Sequence, residues 1–336
     1  MKKIISIGLL FILSALVLAS CGGSDNGDLK KVRLALDWFP NANHAWLFLA
    51  LEKGYFEEEG LEVTAYTPVD PASILQTVGT GADEFGINYQ PDLLLARAVG
   101  VPVVSVAAIV QRPLNSVMTL KESGLTTPSD LVGKKVGYPG IPTNEFLLDT
   151  MLKADGAPGL ESVELVNVGF NLSAALIGKQ VDACVGCYWT HESISMENQG
   201  NPVNIMKMEE WGVPSYYELI LVTNADMLSE DPDTVERFVR AFLRGYREAA
   251  SDPQGAVDAL VRAHPETDEA IDRPGVELIA PLWQSDAPTV GWQEESRWVD
   301  FTQWMQDSGL LDESVDPLEA FSNVYVVKVS GVLSAL

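Results

Sequence analysis

The 336-residue chain is strongly acidic, with 47 Asp and Glu against 22 Lys and Arg and a net charge of −25 at pH 7. A surface of this sign repels nucleic acid and offers no basic patch to anionic lipids, which argues against nucleic-acid partners and electrostatic membrane binding. With 47% hydrophobic and 21% charged residues, the composition is that of a globular protein, and the length allows two domains of ordinary size.

The first twenty residues have the layout of a secretory signal. Lys2 and Lys3 precede an apolar run over residues 4–18 that is too short to span a bilayer comfortably. The following Leu-Ala-Ser-Cys resembles the lipobox of bacterial lipoproteins, so we expect cleavage before Cys21 and lipidation of that residue, with residues 21–31 as a tether. The mature chain would keep 20 basic and 47 acidic residues, a net charge of −27. We expect a lipid anchor on the extracytoplasmic face of the cell membrane.

The next stretch reads as a strand, a polar loop and a helix. An apolar run over residues 32–36 predicts a short buried strand, and apolar residues at helical spacing over 45–53 predict a helix that ends at Gly54. The loop between them lies where a strand's carboxyl end and a helix N-terminus present free backbone N–H groups. Five side chains at this edge are candidates for ligand contact: Asp37, Trp38, Asn41, Asn43 and His44. An ordinary βα turn with a polar surface is the alternative.

Strand-like and helix-like segments then alternate along the chain. Short β-type runs are predicted at residues 61–66, 85–88, 101–110, 135–138, 163–168, 181–187 and 219–223. Helical runs at 72–78 and 93–98 lie between the first of them. This alternation predicts an α/β protein with mostly parallel sheets, in which ligands collect at the carboxyl ends of the strands.

The C-terminal third is predicted to be mainly helical. Asp231 can cap an amphipathic helix with Pro232 in its first turn, and further helices are expected at residues 254–263 and 292–306. Crossovers near residues 116–121 and 219–224 would place the middle of the chain in an inserted lobe. We therefore expect lobe 1 to comprise residues 32–117 and 222–328 and lobe 2 to comprise residues 118–221, with a cleft between them.

Four stretches together resemble one known family. They are LDWFPNANHAWLFLALEKGYFEEEGLEV, GKKVGYPG, GKQVDACVGCYWTHESISME and VPSYYELIL. They are similar to the thiamine-pyrimidine family of type II periplasmic binding proteins. The resemblance implies two lobes that close on a small molecule, and a solute-binding lipoprotein that delivers its ligand to the permease of an ABC importer. We further expect a monomer.

The family resemblance also raises the possibility of an enzyme, because some members synthesise the thiamine pyrimidine. The resemblance implies that those synthases use a Lys, a nearby His and a Cys-rich run. By eye, Asn88 stands at the Lys position, Asp92 lies near the His position, and VPSYYELIL holds no Cys. We therefore predict a binding protein without cofactor, not an enzyme.

Other chemistry has little support in the sequence. There is no G-x-S-x-G elbow, P-loop or H-E-x-x-H motif. No second His follows His191 and Glu192 at helical spacing, so no metal site is expected. Cys184 and Cys187 would face opposite sides of a strand, which favours small core residues over a redox pair. Three Cys, one of them in the lipobox, give no disulfide framework.

Rings and amides at the predicted strand ends suggest a flat heteroaromatic ligand. Rings supply stacking area, and amides can donate to and accept from hydroxyl groups. The candidate amides are Asn41, Asn43, Asn88, Gln90, Asn144 and Asn171. Their number favours riboflavin, whose ribityl tail is a polyol. The alternative is the thiamine precursor N-formyl-4-amino-5-aminomethyl-2-methylpyrimidine, whose exocyclic amine would pair with Asp37, Glu192 or Glu218.

The predicted ligand-binding set spans both lobes. Trp38 and Tyr89 of lobe 1 are expected to meet Tyr188 and Trp189 of lobe 2 across the ligand when the lobes close at the crossovers. Core packing of the rings, and turn capping by the amides, are the simpler interpretations of the same residues. The full set is Asp37, Trp38, Asn41, Asn43, His44, Asn88, Tyr89, Asn144, Tyr188, Trp189, Glu192, Tyr217 and Glu218.

Overall fold

The computed structural model describes residues 29–312 and 315–331. The predicted signal peptide and Cys21 lie outside these residues. The first strand begins at Lys30, so the last two residues of the predicted tether belong to a sheet. Within the described ranges, no helix combines the length and the apolar character needed to cross a bilayer.

Ten strands form two five-stranded sheets. In chain order they are β1 Lys30–Ala35, β2 Leu61–Tyr66, β3 Phe85–Asn88, β4 Val103–Val110, β5 Asn115–Leu120, β6 Lys135–Tyr138, β7 Glu164–Asn167, β8 Ala183–Tyr188, β9 Val203–Lys207 and β10 Leu219–Asn224. The first sheet has the order β2-β1-β3-β10-β4 and the second has the order β7-β6-β8-β5-β9. In each sheet one strand, β10 in the first and β5 in the second, runs opposite in direction to the other four.

Thirteen α-helices are found in the described ranges. They are α1 Ala45–Glu52, α2 Tyr55–Glu58, α3 Ile74–Gly79, α4 Gln90–Ala98, α5 Thr143–Ala154, α6 Leu172–Ile177, α7 Glu192–Asn198, α8 Ala225–Glu230, α9 Pro232–Ser251, α10 Pro253–Ala263, α11 Glu269–Gln284, α12 Glu295–Asp307 and α13 Val324–Ser330. The expected cap at Asp231 is present, since its side chain accepts a hydrogen bond from the Thr234 N–H. Two sheets flanked by helices confirm the predicted α/β fold with two lobes.

The chain changes sheet at two places, and neither lies where the crossovers were predicted. Residues 116–121 and 219–224 fall largely on β5 and β10, which lie inside the sheets. The connections are instead residues 111–114, between β4 and β5, and residues 212–218, before β10. The predicted positions thus fall on the strand that follows each connection, and both of these strands are buried along their whole length.

Several elements had no prediction, among them β5, β9 and α11. Strand β5 carries polar residues in a buried setting: the Ser116 hydroxyl donates to the Cys187 carbonyl (2.7 Å) and the Thr119 hydroxyl to the Leu125 carbonyl (2.6 Å). Asn204 and Lys207 of β9 are half-buried. Helix α11 contains Pro274 and Pro281 in its interior. Polar residues in strands and prolines in helices weaken the local signal, and only partners distant in sequence make up for it.

Lobe 1 holds its first helix tightly. Trp46 of α1 packs edge-on against Phe242 of α9, with ring centroids 4.6 Å apart. Gly245 of α9 lies so close to α1 that a Cβ there would be 2.5 Å from the Cβ of Ala50. Trp46 is therefore a fully buried core residue. The fixed helix in turn holds the loop that precedes it.

Candidate functional site

The loop between β1 and α1 is held by its own polar side chains. The Asn41 side chain accepts from the Asn43 N–H (2.8 Å) and donates to the Phe39 carbonyl (2.9 Å). The His44 ring accepts from the Asn41 N–H through Nδ1 (3.3 Å), so its Nε2 proton is available to Asp37 (2.9 Å). The other Asp37 oxygen accepts from the Tyr89 hydroxyl (3.2 Å). These bonds fix Asp37 and the neighbouring Trp38 at the carboxyl end of β1.

A cavity lies between the two lobes at this edge. Its empty volume, counted out to its open side, is about 530 Å³. Rings and carboxyl groups dominate its wall, and both lobes and the return crossover contribute to it. The wall consists of Asp37, Trp38, Asn41, Tyr89, Asp92, Asn115, Pro139, Ile141, Thr143, Asn144, Gly186, Tyr188, His191, Glu192, Tyr216 and Glu218.

Eight of the predicted ligand-binding residues lie on this wall. They are Asp37, Trp38, Asn41, Tyr89, Asn144, Tyr188, Glu192 and Glu218. They come from five separate stretches of the chain. Glu218 directly precedes β10, and the others follow or end a strand or begin a helix. The structure thus brings these side chains to one cavity, as expected for the carboxyl edges of two facing sheets.

The structure places two loop residues behind the wall. Asn43 and His44 belong to the single helical turn Ala42–His44, and both are buried. Asn88 lies off the wall as well, since its side-chain oxygen accepts from the Tyr89 N–H (2.8 Å). These three residues hold the backbone that carries Asp37, Trp38 and Tyr89.

Two predicted rings point away from the cavity. Trp189 donates from its indole N–H to the Pro113 carbonyl (3.2 Å), and Lys207 lies over its ring at 3.9 Å. The Tyr217 hydroxyl accepts from the Glu294 N–H (2.6 Å). Each stands next to a wall residue, Tyr188 or Tyr216, and neighbours in extended chain point in opposite directions.

Glu218 is a buried carboxyl group at the return crossover. One of its oxygens accepts from the N–H groups of Leu114 (2.6 Å) and Asn115 (3.0 Å) on the outgoing crossover, and from the Tyr216 hydroxyl (3.2 Å). Burial raises the pKa of Glu218 to about 7 despite these bonds. Glu218 therefore ties the two crossovers together at the floor of the cavity.

Asp92, in the first turn of α4, is a second buried carboxyl group on the wall. One of its oxygens accepts a hydrogen bond from the Thr143 hydroxyl of lobe 2, and the other has no partner within the described part of the chain. Burial raises the pKa of Asp92 to about 7. An unpartnered buried carboxyl oxygen costs free energy unless a ligand meets it. Asp92 is thus a strong candidate for ligand contact.

The expectation for Cys184 and Cys187 was wrong. The two form a disulfide, because β8 contains a bulge. Val185 pairs with Val117 and Cys187 with Ser116, so Gly186 is the extra residue and the two Cys side chains reach the same face. Gly186 has a φ of +94°, which favours glycine, and it lines the cavity.

His191 and Glu192 form a polar corner at the start of α7. One Glu192 oxygen accepts from the Tyr188 N–H (2.8 Å), and the other lies 3.1 Å from His191 Nδ1. Burial would lower the pKa of His191, but the carboxylates of Glu192 and Asp272 outweigh it and raise that pKa. No group of three or more His, Cys, Asp or Glu suited to hold a metal ion is found over residues 29–312 and 315–331.

Eight wall residues lie outside the predicted ligand-binding set: Asp92, Asn115, Pro139, Ile141, Thr143, Gly186, His191 and Tyr216. Three of them carried a signal from strand ends. Asp92 follows β3 within four residues, and the loop at Pro139 and Ile141 follows β6, so the strand-end rule could have found all three. Asn115 carried none, since it opens β5, a strand that the sequence does not reveal.

The two raised carboxyl pKa values predict how stability depends on pH. A buried acid binds its proton more tightly in the folded chain, so the free energy of unfolding falls as pH rises from about 4 to about 7. For Glu218 alone the fall is about 3 kcal/mol. The double variant Glu218→Gln and Asp92→Asn should show a flatter profile in urea unfolding at pH 4.5, 5.5, 6.5 and 7.5. Glu57→Gln, at an exposed carboxyl, should follow the wild-type profile, and a double variant that does so too would contradict the assignment.

Two sheets joined by two crossovers, with a polar and aromatic cavity between them, define a two-lobe solute-binding protein. The family model described as NMT1/THI5 like matches residues 41–256. The chain belongs to this family, which confirms the resemblance found in the sequence.

The similarity to individual members is extensive. The formylaminopyrimidine-binding protein of Halalkalibacterium halodurans is 37% identical over 96% of this chain and 98% of its own length. The riboflavin-binding protein RibY of Chloroflexus aurantiacus is 28% identical over 89% of this chain and 86% of its own length. Among solved structures, the alkanesulfonate-binding protein SsuA of Xanthomonas axonopodis pv. citri bound to MOPS superposes with a TM-score of 0.67 at 16% identity, covering 87% of this chain and 98% of that one. At this identity, the similarity to SsuA supports the fold and not the ligand.

Proposed function

We propose that this protein binds a small aminopyrimidine of the thiamine-precursor class. The observation that carries the proposal is the cavity wall, in which the buried carboxyl groups of Asp92 and Glu218 face the same space as the rings of Tyr89, Tyr188 and Tyr216. The relative of 37% identity, a formylaminopyrimidine-binding protein, supports the same ligand class.

The chemistry of the wall fits the edge of an aminopyrimidine. Such a ring presents an exocyclic amine, which donates, beside a ring nitrogen, which accepts. A protonated carboxyl group offers the matching pair, an O–H donor and a carbonyl acceptor, and an ionised one accepts from the amine. Because the pKa values of Asp92 and Glu218 are about 7, both forms are available near neutral pH. The rings supply stacking area for the flat heterocycle.

The same wall argues against riboflavin, the ligand first expected. That expectation rested on amides for the ribityl chain, and several of them lie off the wall. The amides on it are engaged with protein: Asn144 accepts from Asn115 (2.7 Å), Asn115 accepts from the Gly186 N–H (3.0 Å), and Asn41 caps its own loop. A polyol would therefore find few free amide groups.

We infer a carrier rather than a synthase. The cavity wall contains no Lys and no Cys, and Asn88, at the position where the synthases have Lys, bonds to backbone behind the wall. A buried site that offers hydrogen bonds and stacking, and no nucleophile or cofactor partner, is suited to capture and release.

The two-lobe fold suits a component that delivers its ligand to an ABC permease. With the predicted signal sequence and Cys21, the protein would act as a lipid-anchored monomer on the extracytoplasmic face of the cell membrane. Metabolic labelling with a fatty acid tests the anchor: wild-type protein should take up label and Cys21→Ser should not.

Isothermal titration of the purified protein tests the ligand. We expect N-formyl-4-amino-5-aminomethyl-2-methylpyrimidine to bind at micromolar concentration or below, with riboflavin at least about a hundredfold weaker. Tight riboflavin binding, with quenching of its fluorescence, together with no response to the pyrimidine, would overturn the proposal and restore the first expectation.

A further inference from the structure

Three aromatic rings meet across the two lobes at the rim of the cavity. Trp38 and Phe39 come from the loop after β1 in lobe 1, and Phe170 comes from the turn between β7 and α6 in lobe 2. The Phe170 ring centroid lies 4.5 Å from that of Trp38, at an interplanar angle of 73°, and 4.6 Å from that of Phe39. We refer to Trp38, Phe39 and Phe170 as the inter-lobe aromatic cluster.

The cluster reaches from the cavity to the surface. Trp38 lines the cavity, whereas Phe39 is 53% exposed and Phe170 is half-buried. Neither Phe39 nor Phe170 lies on the cavity wall. Because neither ring lies on the cavity wall, ligand binding does not explain why Phe39 and Phe170 pack against each other across the lobes.

Each lobe holds its ring in place by local hydrogen bonds. In lobe 1, the Thr67 hydroxyl donates to the Trp38 carbonyl (3.2 Å) and the Asn41 side chain donates to the Phe39 carbonyl (2.9 Å). In lobe 2, the Gly169 N–H donates to the Asn167 side chain (3.0 Å), and the Asn171 N–H donates to the Val168 carbonyl (3.1 Å). These bonds fix the backbone that carries the rings on both sides of the contact.

We propose that Phe170 is a positioning residue that holds the lobes closed over the cavity by packing against Trp38 and Phe39. Opening about the crossovers at residues 111–114 and 212–218 separates the two loops, so these contacts exist only in the closed form. Packing on one face of Trp38 also fixes the orientation of a ring that lines the cavity. The cluster thus couples closure to the shape of the aromatic wall.

The size of the effect follows from the number of ring pairs. An aromatic pair contributes beyond its buried area by an amount equivalent to roughly two- to tenfold in an equilibrium constant. Loss of both pairs in Phe170→Ala should lower the ratio of closed to open protein by about tenfold. Phe170→Tyr keeps the ring and should keep the ratio.

Single-molecule energy transfer measures this ratio directly. Dyes would be attached at Val99→Cys in lobe 1 and Val132→Cys in lobe 2, both exposed positions, with Cys21→Ser to prevent labelling there. Wild type, Phe170→Ala and Phe170→Tyr would be compared with and without the formylaminopyrimidine. Thermal unfolding of each variant is the folding control. A melting temperature equal to that of wild type shows that both lobes remain folded.

We expect Phe170→Ala to lower the closed fraction in both conditions and to speed ligand release by a similar factor, while Phe170→Tyr matches wild type. Equal closed fractions in wild type and Phe170→Ala would overturn the proposal, as would a wild-type protein that never closes. Failure of the proposed ligand is a separate result: wild type would then close to the same extent with and without the pyrimidine.

Discussion

Glu218→Ala is expected to abolish measurable binding of the aminopyrimidine and to lower the free energy of unfolding by about 3 kcal/mol. The Glu218 carboxyl group accepts from the N–H groups of Leu114 and Asn115, and all three residues are buried. Truncation leaves two donors without partners at the point where the crossovers meet, and each unmet buried donor costs about 1–3 kcal/mol.

Two variants separate the structural part of this effect from the ligand contact. Glu218→Gln keeps an oxygen for the two N–H groups, so it should retain most of the stability while weakening ligand binding by about tenfold through loss of the acid. Glu210→Ala, at an exposed carboxyl in the turn Met208–Trp211, should change the free energy of unfolding by less than about 0.5 kcal/mol. Titration calorimetry and urea unfolding give both quantities. Full affinity in Glu218→Ala would remove this residue from the site.

The adjacent rings Tyr188 and Trp189 give a matched pair of variants for the aromatic wall. Tyr188 lines the cavity, whereas Trp189 bonds to the Pro113 carbonyl and lies beneath Lys207. Stacking of one aromatic side chain on a flat base contributes about 1–3 kcal/mol, so Tyr188→Ala should weaken binding by roughly 10- to 100-fold. Trp189→Ala should weaken it less than about threefold.

Binding constants from titration, with melting temperatures as a check on folding, decide between the two residues. Tyr188→Phe serves as the control that keeps the ring, and it should bind more tightly than Tyr188→Ala because it retains the stacking area. If Trp189→Ala proved the more damaging change, the ligand would lie on the opposite side of β8 from the cavity described here.

Local patterns in the sequence predicted most of the fold. Apolar runs at 61–66, 85–88 and 135–138 coincide with β2, β3 and β6. The helix beginning after Asp231 is present because its apolar stripe covers α1. In contrast, β5 was missed because its buried Ser116 and Thr119 are satisfied by carbonyl groups that are distant from them in sequence or lie beyond the strand end.

The sequence predicted where the site lies better than it predicted which side chains line it. The strand-end rule leads to Asp37, Tyr89 and Tyr188, but it cannot say which of two neighbours faces the cavity. That choice depends on the pairing of each strand with its partner, as the bulge at Gly186 shows by bringing Cys184 and Cys187 to one face. The expectation of riboflavin rested on amides, and the sequence does not show that Asn115 and Asn144 bond to one another on the cavity wall.

The sequence by itself determined the α/β fold, the family and the segments that supply the site, because periodicity, caps and strand ends are local properties of the chain. Only the tertiary structure decided that Asp92 of lobe 1 meets Thr143 of lobe 2, that Glu218 joins the two crossovers and that Phe170 meets Trp38. These contacts join residues from 51 to 132 positions apart. Which distant groups face one another is set by sheet pairing and lobe closure, and no local pattern of residues encodes it.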